Sequence, residues 1–273
     1  MKKLFGLLFI LSFALNSYAA KVDTIAVFSK AMHKTILNVV IKPEHYSEQG
    51  RKLPVVYLLH GAGGNQSNWI SKDPELKEYV DRYNLIIVCP DGGTTSWYFD
   101  SPIDSTMKYE TYVAKELVDY IDHTYSTIKN KSGRAITGLS MGGHGALYLS
   151  FRHQDIFGAA GSMSGGLDIR PFPNNWDIAK RLGTLAQNPQ NWEKNNVINL
   201  LDLVKGGSLK IIFDCGVDDF FHTVNLNLHE KMLENKIPHD YIERPGQHTW
   251  EYWENSIKYQ LLFFNDFFIG SMQ

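Results

Sequence analysis

The pentapeptide Gly138-Leu-Ser-Met-Gly142 is the stretch of the sequence best suited to chemistry. It follows the apolar run Arg134–Thr137, typical of a buried strand, and precedes residues 143–150, typical of a helix. A serine on such a turn projects its hydroxyl out of the sheet, beside a helix N-terminus that favours negative charge. Glycine is needed on either side, because a side chain there would collide with the neighbouring backbone. The motif predicts that Ser140 is a nucleophile; the alternative is a tight turn without chemistry.

Residues that could activate this serine come later in the chain. Asp218 and Asp219 follow the strand-like run Leu209–Cys215, and His248 follows the run Asp240–Arg244. Because parallel strands end at one edge of a sheet, these side chains are expected to meet Ser140. An imidazole can take the serine proton near neutral pH, and an aspartate can hold the ring in one tautomer. The order predicts a triad of Ser140, one of the two aspartates, and His248.

A glycine-rich loop, His60-Gly-Ala-Gly-Gly-Asn65, directly follows the apolar run Leu53–Leu59. Such a loop can point a backbone amide at the reacting oxygen, with the Met141 amide as the second donor. By position we assign the loop donor to Ala62, with Gly61 as the neighbouring alternative. Phosphate binding is not expected, because the loop lacks the Gly-Lys-Ser/Thr ending of phosphate-binding loops.

Two tryptophans are candidates for substrate contact. Trp97 lies on the loop that follows the strand-like run Leu85–Cys89, and Trp176 lies in a lid-like insertion at about residues 165–204. Both segments leave strands at the edge where such sheets bind ligands. An aromatic wall there would suit a phenolic or sugar group. For each tryptophan the alternative is packing within its own loop.

The fold class follows from the succession of strand-like and helix-like segments, which predicts an α/β architecture. The segment Val22–Lys42 alternates polar and apolar residues, which predicts an antiparallel hairpin at the sheet edge. A chain of 273 residues with 44% hydrophobic residues suits one domain with a sizeable core. A net charge of −2 gives no reason to expect nucleic acid as a partner.

Residues 1–19 have the pattern of a signal peptide. Lys2 and Lys3 precede a short apolar run, and small residues stand before a cut after Ala19. We therefore expect a mature chain of residues 20–273, exported to the periplasm or beyond, with no stable membrane insertion; a membrane anchor is the alternative. Cys89 and Cys215 end strands on opposite sides of the central strand, so both are expected to be buried free thiols.

Two further histidines are expected to be structural, whereas His222 is expected either to line the cleft or to cap the helix behind it. His60 is interpreted as a hydrogen-bonding residue beside the glycine-rich loop, and His144 as a packing residue one turn past Ser140. The sequence contains no His-x-x-x-His or Cys-x-x-Cys pair, so we do not expect a metal site.

The motifs together resemble the esterase D-like α/β-hydrolases, and within them the feruloyl, acetylxylan and tributyrin esterases of gut bacteria. Four blocks carry the resemblance: Leu58-Leu-His-Gly-Ala-Gly-Gly-Asn65 with Trp69, Gly138-Leu-Ser-Met-Gly-Gly-His-Gly-Ala146, Asp214-Cys-Gly-Val-Asp-Asp-Phe-Phe221 and Glu243-Arg-Pro-Gly-Gln-His-Thr-Trp250. The resemblance runs from about Val22 to the C-terminal helix. It implies the α/β-hydrolase fold, a mostly parallel doubly wound sheet with helices on both faces, and it favours Asp219 over Asp218 as the acid.

The resemblance also implies a carboxylic ester hydrolase without a cofactor. With the leader, it predicts a secreted serine esterase that removes feruloyl or acetyl groups from plant polysaccharide. The alternatives are a periplasmic esterase for short-chain acyl, siderophore or S-formylglutathione-type substrates, and an inactive carbohydrate-binding relative. The sequence leaves the acyl preference and the oligomeric state open.

Overall fold

The computed structural model describes residues 20–204 and 206–271, so the expected signal peptide at residues 1–19 lies outside the described residues. Eight strands form one sheet in the order β1-β2-β4-β3-β5-β6-β7-β8. The strands are β1 Lys21–Ser29, β2 Lys34–Lys42, β3 Val55–Leu59, β4 Ile86–Pro90, β5 Arg134–Gly138, β6 Ala159–Met163, β7 Lys210–Gly216 and β8 Asp240–Arg244. Strands β3 to β8 run parallel, and β1 and β2 are antiparallel. The predicted edge hairpin is confirmed, with Lys21 opposite Lys42.

Helices cover both faces of this sheet, as expected for strands β3 to β6, whose residues are all buried. The helices are α1 Asn68–Lys72, α2 Leu76–Tyr83, α3 Tyr109–Thr111, α4 Val118–Thr124, α5 Met141–Arg152, α6 Ile178–Leu182, α7 Pro189–Lys194, α8 His222–Glu234 and α9 Trp250–Ser271; a π-helical segment, Tyr112–Leu117, joins α3 to α4. Side chains of α1, α2 and α9 form the core on one face. Those of the segment 109–124, α5 and α8 form the core on the other. The predicted doubly wound α/β-hydrolase fold is confirmed.

Helix α2 begins later than the sequence suggests. Asp73 and Pro74 have the pattern of an N-cap and a first helical residue, yet the helix starts at Leu76. The Asp73 carboxylate instead accepts the Glu75 amide at 3.2 Å, which closes a turn ahead of the helix. Burial raises the pKa of Asp73 to about 6.

The two cysteines occupy strands on either side of β5, as predicted. Cys89 lies in β4 and Cys215 in β7, and both are free and buried. Burial raises the pKa of each thiol, so neither is a thiolate at neutral pH.

The insertion at residues 165–204 consists of short helices, α6 and α7, and two 3₁₀ turns at Val197–Asn199 and Leu201–Leu203. Its Trp192 is fully buried and donates its indole N–H to the Gly183 carbonyl at 2.9 Å. Within residues 20–204 and 206–271, no helix combines the length and apolar character that a bilayer crossing requires.

The strand order brings four loops to one edge of the sheet. The loops that follow β3, β5, β7 and β8 all leave carboxyl ends of parallel strands. They carry the glycine-rich loop, Ser140, the two aspartates and His248, respectively. The topology therefore assembles at one edge the residues that the sequence places far apart.

Candidate active site

Ser140 lies on a strained turn between β5 and α5. Its φ of 55° and ψ of −118° lie in a region that residues with side chains rarely adopt. A Cβ atom on Gly138 would lie 2.7 Å from the Gly142 carbonyl carbon, and one on Gly142 would lie 2.6 Å from the His60 carbonyl oxygen. The Ser140 amide donates to the Met163 carbonyl at 2.9 Å. Both flanking glycines are thus required for the turn to approach β3 and its following loop.

Ser140, His248 and Asp219 form a continuous hydrogen-bonded chain. The Ser140 hydroxyl donates to His248 Nε2 at 2.9 Å. The Nδ1–H of the same ring donates to the Asp219 carboxylate, at 2.8 Å to Oδ2 and 3.0 Å to Oδ1. Asp219 is buried and also accepts the Phe221 amide at 2.8 Å. These contacts orient the imidazole with its unprotonated nitrogen toward the serine.

Asp218 faces away from this chain. Its side chain is exposed, and its backbone amide donates to the Gly246 carbonyl at 3.0 Å. Of the two adjacent aspartates, the structure therefore places Asp219 against His248.

The loops that carry the acid and the base are joined through their backbones. The Val217 amide donates to the Arg244 carbonyl at 3.0 Å, parallel to the bond from Asp218 to Gly246. A Cβ atom on Gly216 would lie 2.3 Å from the Gly246 carbonyl oxygen. The backbone at the end of β7 is therefore in direct contact with the backbone of the loop after β8. The distance between Asp219 and His248 is consequently set by main chain as well as by side chains.

Asp214 supports this region from within β7. It is fully buried and accepts hydrogen bonds from Ser256 Oγ at 2.5 Å, Gln260 Nε2 at 2.7 Å and Arg244 Nη2 at 3.1 Å. Burial raises the pKa of Asp214. Arg244 in turn lies over the Tyr259 ring, 4.6 Å from its centroid. This network attaches α9 to the end of β8, immediately before the loop that carries His248.

The backbone amides of Met141 and Ala62 are the candidate donors to an oxyanion. Within the described part of the chain, neither the Met141 amide, at the first position of α5, nor the Ala62 amide has a hydrogen-bond partner. The glycine-rich loop lies against the serine, because a Cβ atom on Gly61 would be 3.3 Å from Ser140 Cβ. The Gly63 amide fixes this loop by donating to the Thr94 carbonyl at 2.8 Å. Ala62 and Met141 thus flank Ser140, with Gly61 still the neighbouring alternative.

His60 and His144 have structural positions. His60 Nε2 accepts the Gly92 amide at 2.8 Å, so its Nδ1 carries the proton and donates to the Gly61 carbonyl at 2.8 Å. His144 is fully buried, and its Nδ1–H donates to the Gly166 carbonyl at 2.8 Å. Its Nε2 has no partner among the described residues, and burial lowers the pKa of His144 to about 4.

A cleft of about 720 Å³ opens above Ser140. It is lined by Gly61, Ala62, Gly63, Gly64, Asn68, Leu139, Ser140, Trp176, Phe220, His248, Thr249, Trp250 and Trp253. None of these described lining residues is Asp, Glu, Lys or Arg. The cleft wall therefore carries no acidic side chain and no lysine or arginine, and much of it is aromatic.

The two tryptophans expected to contact substrate lie in different places. Trp176 is half-buried and lines the cleft, where it stacks with Phe220 at 5.7 Å between centroids. Trp97 is 1% exposed and absent from the cleft wall, so the expectation of substrate contact is not met there. Trp97 has a positive φ of 55°. Its indole N–H donates a hydrogen bond to the Trp176 carbonyl at 3.2 Å. Trp97 therefore stabilises the position of Trp176 through this hydrogen bond and through the contact of the two rings, whose centroids are 6.0 Å apart.

The sequence did not predict a site role for five other residues of the cleft wall: Asn68, Phe220, Thr249, Trp250 and Trp253. Two of these aromatic rings contact the imidazole directly. The Phe220 ring lies 4.2 Å from that of His248, and the Trp253 ring lies 4.9 Å from it and nearly perpendicular. Their closeness in sequence to the candidate triad could have indicated these aromatic residues. Phe220 directly follows Asp219, and Trp250 and Trp253 closely follow His248. Residues 20–204 and 206–271 contain no cluster of three or more His, Cys, Asp or Glu side chains that could hold a metal.

Comparison with known proteins places this site in a wider context. Residues 29–264 match the model of an esterase family described as "Putative esterase". An acetyl esterase from Caldicellulosiruptor saccharolyticus is 27% identical over 251 residues, which cover 84% of this chain and 92% of that protein. An esterase from Mycobacterium tuberculosis is 27% identical over 238 residues, or 77% of this chain, and the match spans about half (52%) of that protein's length.

Solved structures give the same fold. A ferulic acid esterase superposes with a TM-score of 0.78 at 30% identity, over 91% of this chain and 98% of that chain. An S-formylglutathione hydrolase from Agrobacterium tumefaciens superposes with a TM-score of 0.76 at 18% identity, over 92% and 96% of the two chains. At 18% identity the second likeness concerns the fold alone.

Proposed function

The chain belongs to this esterase family, and from that premise we propose that it is a serine carboxylic ester hydrolase working through an acyl-enzyme. The observation that carries the proposal is the hydrogen-bonded chain from Ser140 through His248 to Asp219. It lies beside two backbone amides without partners among the described residues, the arrangement that acyl transfer needs.

The geometry supports a double displacement. Ser140 Oγ attacks the ester carbonyl while His248 Nε2 takes its proton, and Asp219 stabilises the resulting imidazolium. The Met141 and Ala62 amides bind the oxyanion of the tetrahedral intermediate. The alcohol leaves with the proton held by His248, and the acyl group stays on Ser140. Water then adds to the acyl carbonyl while His248 takes its proton, and His248 passes this proton to Ser140 Oγ as the bond from Oγ to the acyl group breaks. One ester and one water thus yield one acid and one alcohol, and the enzyme is restored.

The proposed substrates are neutral esters, namely feruloyl or acetyl groups on plant polysaccharide outside the cytoplasm. The uncharged, aromatic cleft supports this choice, and so do the likeness to a ferulic acid esterase and to an acetyl esterase. The pattern of residues 1–19 supports export. S-Formylglutathione is disfavoured, because its carboxylates and ammonium group would find no charged partner among the described lining residues. The presence of all three triad side chains disfavours an inactive carbohydrate-binding role.

The test begins with the nucleophile. Labelling by a fluorophosphonate should modify Ser140 in the native chain and not in Ser140→Ala. The variant should fold and lose turnover by on the order of 10⁴-fold, as in other triads. A folded Ser140→Ala chain that keeps most of its activity would exclude the assignment.

A substrate panel then separates the candidates. Acetyl, butyryl and feruloyl esters, together with S-formylglutathione, should be hydrolysed with kcat/KM highest for an acetyl or feruloyl ester. A preference for S-formylglutathione would overturn the proposed substrate class. Binding of xylan without hydrolysis of any ester would favour the carbohydrate-binding alternative.

A further inference from the structure

We propose that Phe220 is the contact surface for the alcohol half of the substrate, the sugar of the polysaccharide ester proposed above. The inference rests on the proposed acyl-enzyme mechanism and adds to it the side of the cleft that each half of the ester occupies. It is carried by the position of one exposed ring against the imidazole of His248.

The mechanism fixes where the alcohol must lie. When Ser140 Oγ adds to the ester carbonyl, the carbonyl oxygen turns toward the Met141 and Ala62 amides. The proton that His248 has taken must next reach the leaving oxygen, so this oxygen lies within hydrogen-bond reach of Nε2. The alcohol therefore occupies the histidine side of the cleft, and the acyl chain takes the remaining direction.

Three aromatic rings pack around the imidazole, and one of them is open to a ligand. The Phe220 ring centroid lies 4.2 Å from that of His248, compared with 4.9 Å for Trp253 and 5.4 Å for Phe221. Phe220 is 52% exposed, whereas Trp253 is 6% and Phe221 1% exposed. Of these three rings, Phe220 is thus the one that a group bound next to Nε2 can contact.

Neighbouring residues hold this exposed ring in place. The Trp176 ring stacks with it at 5.7 Å and 22°, and the Phe221 ring meets it edge-on at 4.7 Å. Its backbone lies between Asp219 and the Phe221 amide that Asp219 accepts. A ring already fixed in position loses little conformational entropy when a ligand binds against it.

The surroundings favour a sugar among possible alcohols. A sugar ring offers C–H groups to an aromatic surface and hydroxyl groups to polar neighbours. The exposed Thr249 lies in the cleft wall beside His248 and supplies such a polar neighbour. The described lining residues carry no charge that would select a phosphate, a carboxylate or an ammonium group. Methanol has a single methyl group and lacks the extended face of C–H groups that a sugar ring offers to an aromatic surface.

The inference is tested by letting alcohols compete with water for one acyl-enzyme. 4-Nitrophenyl acetate acetylates Ser140, and methyl β-D-xylopyranoside or methanol is added as acceptor. The acetyl group moves from Ser140 Oγ to the acceptor oxygen, while the acceptor proton passes through His248 back to Ser140. By microscopic reversibility the acceptor occupies the site of the leaving alcohol. The products are acetate, methyl acetate and acetylated xyloside, quantified by chromatography.

In Phe220→Ala, transfer to the xyloside relative to water should fall about two- to tenfold, the loss of one aromatic contact. Transfer to methanol relative to water should stay the same. Because each value is a ratio for the same acyl-enzyme, a slower variant does not affect it. Phe28→Ala is the matched control, since Phe28 is a comparably exposed phenylalanine on the edge strand β1, and both ratios should be unchanged. If Phe220→Ala does not fold, Phe220→Leu, checked by melting temperature, should give a smaller change in the same direction.

Several results would overturn the inference. A parallel fall of both ratios would mean that Phe220 acts through His248 and not on the alcohol. An unchanged xyloside ratio, or a native chain that transfers acetyl to methanol and never to the xyloside, would place the alcohol elsewhere. Failure of the proposed function is distinguishable, because then the native chain would release no acetate and take up no fluorophosphonate.

Discussion

Asp218 and Asp219 carry the same carboxylate, and only their surroundings differ. Asp218 is exposed, whereas Asp219 is buried and accepts a hydrogen bond from His248 Nδ1–H at 2.8 Å. Asp219→Asn should lower kcat by about 10³- to 10⁴-fold, because an amide stabilises neither the imidazolium nor the required tautomer. Asp218→Asn is the matched control and should stay close to the native rate. The measurement is kcat on an acetyl ester; the reverse ranking would give the role to Asp218, and two small losses would give it to neither.

Trp176 offers a second prediction at this scale, because its ring lines the cleft, where a large acyl or sugar group has far more surface to pack against it than an acetyl group has. Trp176→Ala should raise KM for a feruloyl or xylan-linked ester about two- to tenfold, since an aromatic contact is lost. Hydrolysis of a small acetyl ester should change little. If both rates fall together with the melting temperature, Trp176 acts through its packing against Phe172 and Phe221.

Residue types and their order were enough to predict Ser140, His248 and an acid at Asp218 or Asp219, because each lies in the loop after a strand. The preference for Asp219 came from the family resemblance. Residue types and their order were not enough to predict the aromatic wall. Trp97 and Trp176 both lie on loops at the ligand edge, and both have a positive φ, 55° and 46° respectively. Only Trp97 is buried, because tertiary packing decides which ring faces the cleft, and no motif in the sequence indicates that packing. Phe220 and Trp253 were missed because an aromatic residue in a loop or helix is most simply interpreted as core.

At the scale of elements, the contact between the β7 and β8 loops sets the distance from acid to base. Gly216→Ala would bring a Cβ atom to 2.3 Å from the Gly246 carbonyl oxygen, so one loop must move. We expect kcat/KM to fall at least about tenfold, because displacements near 1 Å in a catalytic array are costly. The melting temperature should fall as well.

Gly206→Ala is the control for this substitution. Among the residues that the structure describes, none apart from its chain neighbours lies within 4 Å of a Cβ atom at this position, so both the activity and the melting temperature should remain native. Native activity in Gly216→Ala, with the chain folded, would show that the loops do not depend on this contact.

Element types were more predictable than element boundaries. The buried strands follow from unbroken apolar runs, and the edge hairpin follows from alternation, because both patterns reflect how many faces are covered. The start of α2 lies two residues later than the pattern at Asp73 and Pro74 suggests, since Asp73 can close a turn as readily as it can cap a helix. Such boundaries depend on which of two local hydrogen bonds forms, and the same residues permit either.

At the scale of the whole molecule, His144 makes stability depend on pH. Burial lowers its pKa from 6.5 to about 4, so the unfolded chain binds a proton in this window that the folded chain does not. The contribution of neutral His144 to the free energy of unfolding is fully present above pH 6.5 and is lost as the pH falls toward 4. The total loss is about 3 kcal/mol. The free energy of unfolding in urea should therefore decrease between pH 7 and pH 4.5.

His144→Gln should flatten that pH dependence, whatever it does to stability at pH 7. His45→Gln, which alters an exposed histidine, should keep the native slope. Other titrating groups contribute equally to all three chains, so the difference in slope isolates His144. An identical slope in His144→Gln would contradict this account.

Ser140 and His248 are 108 residues apart in the chain, although they touch in the folded molecule. A ribosome makes β5 and its serine well before it makes β7, β8 and the loops after them. A nascent chain that has reached only β6 has a nucleophile without a base or an acid. The backbone contact of the two loops and the closure of α9 over the sheet come later still. Esters that meet the growing chain during synthesis are consequently left intact, and reactivity begins only with the finished fold.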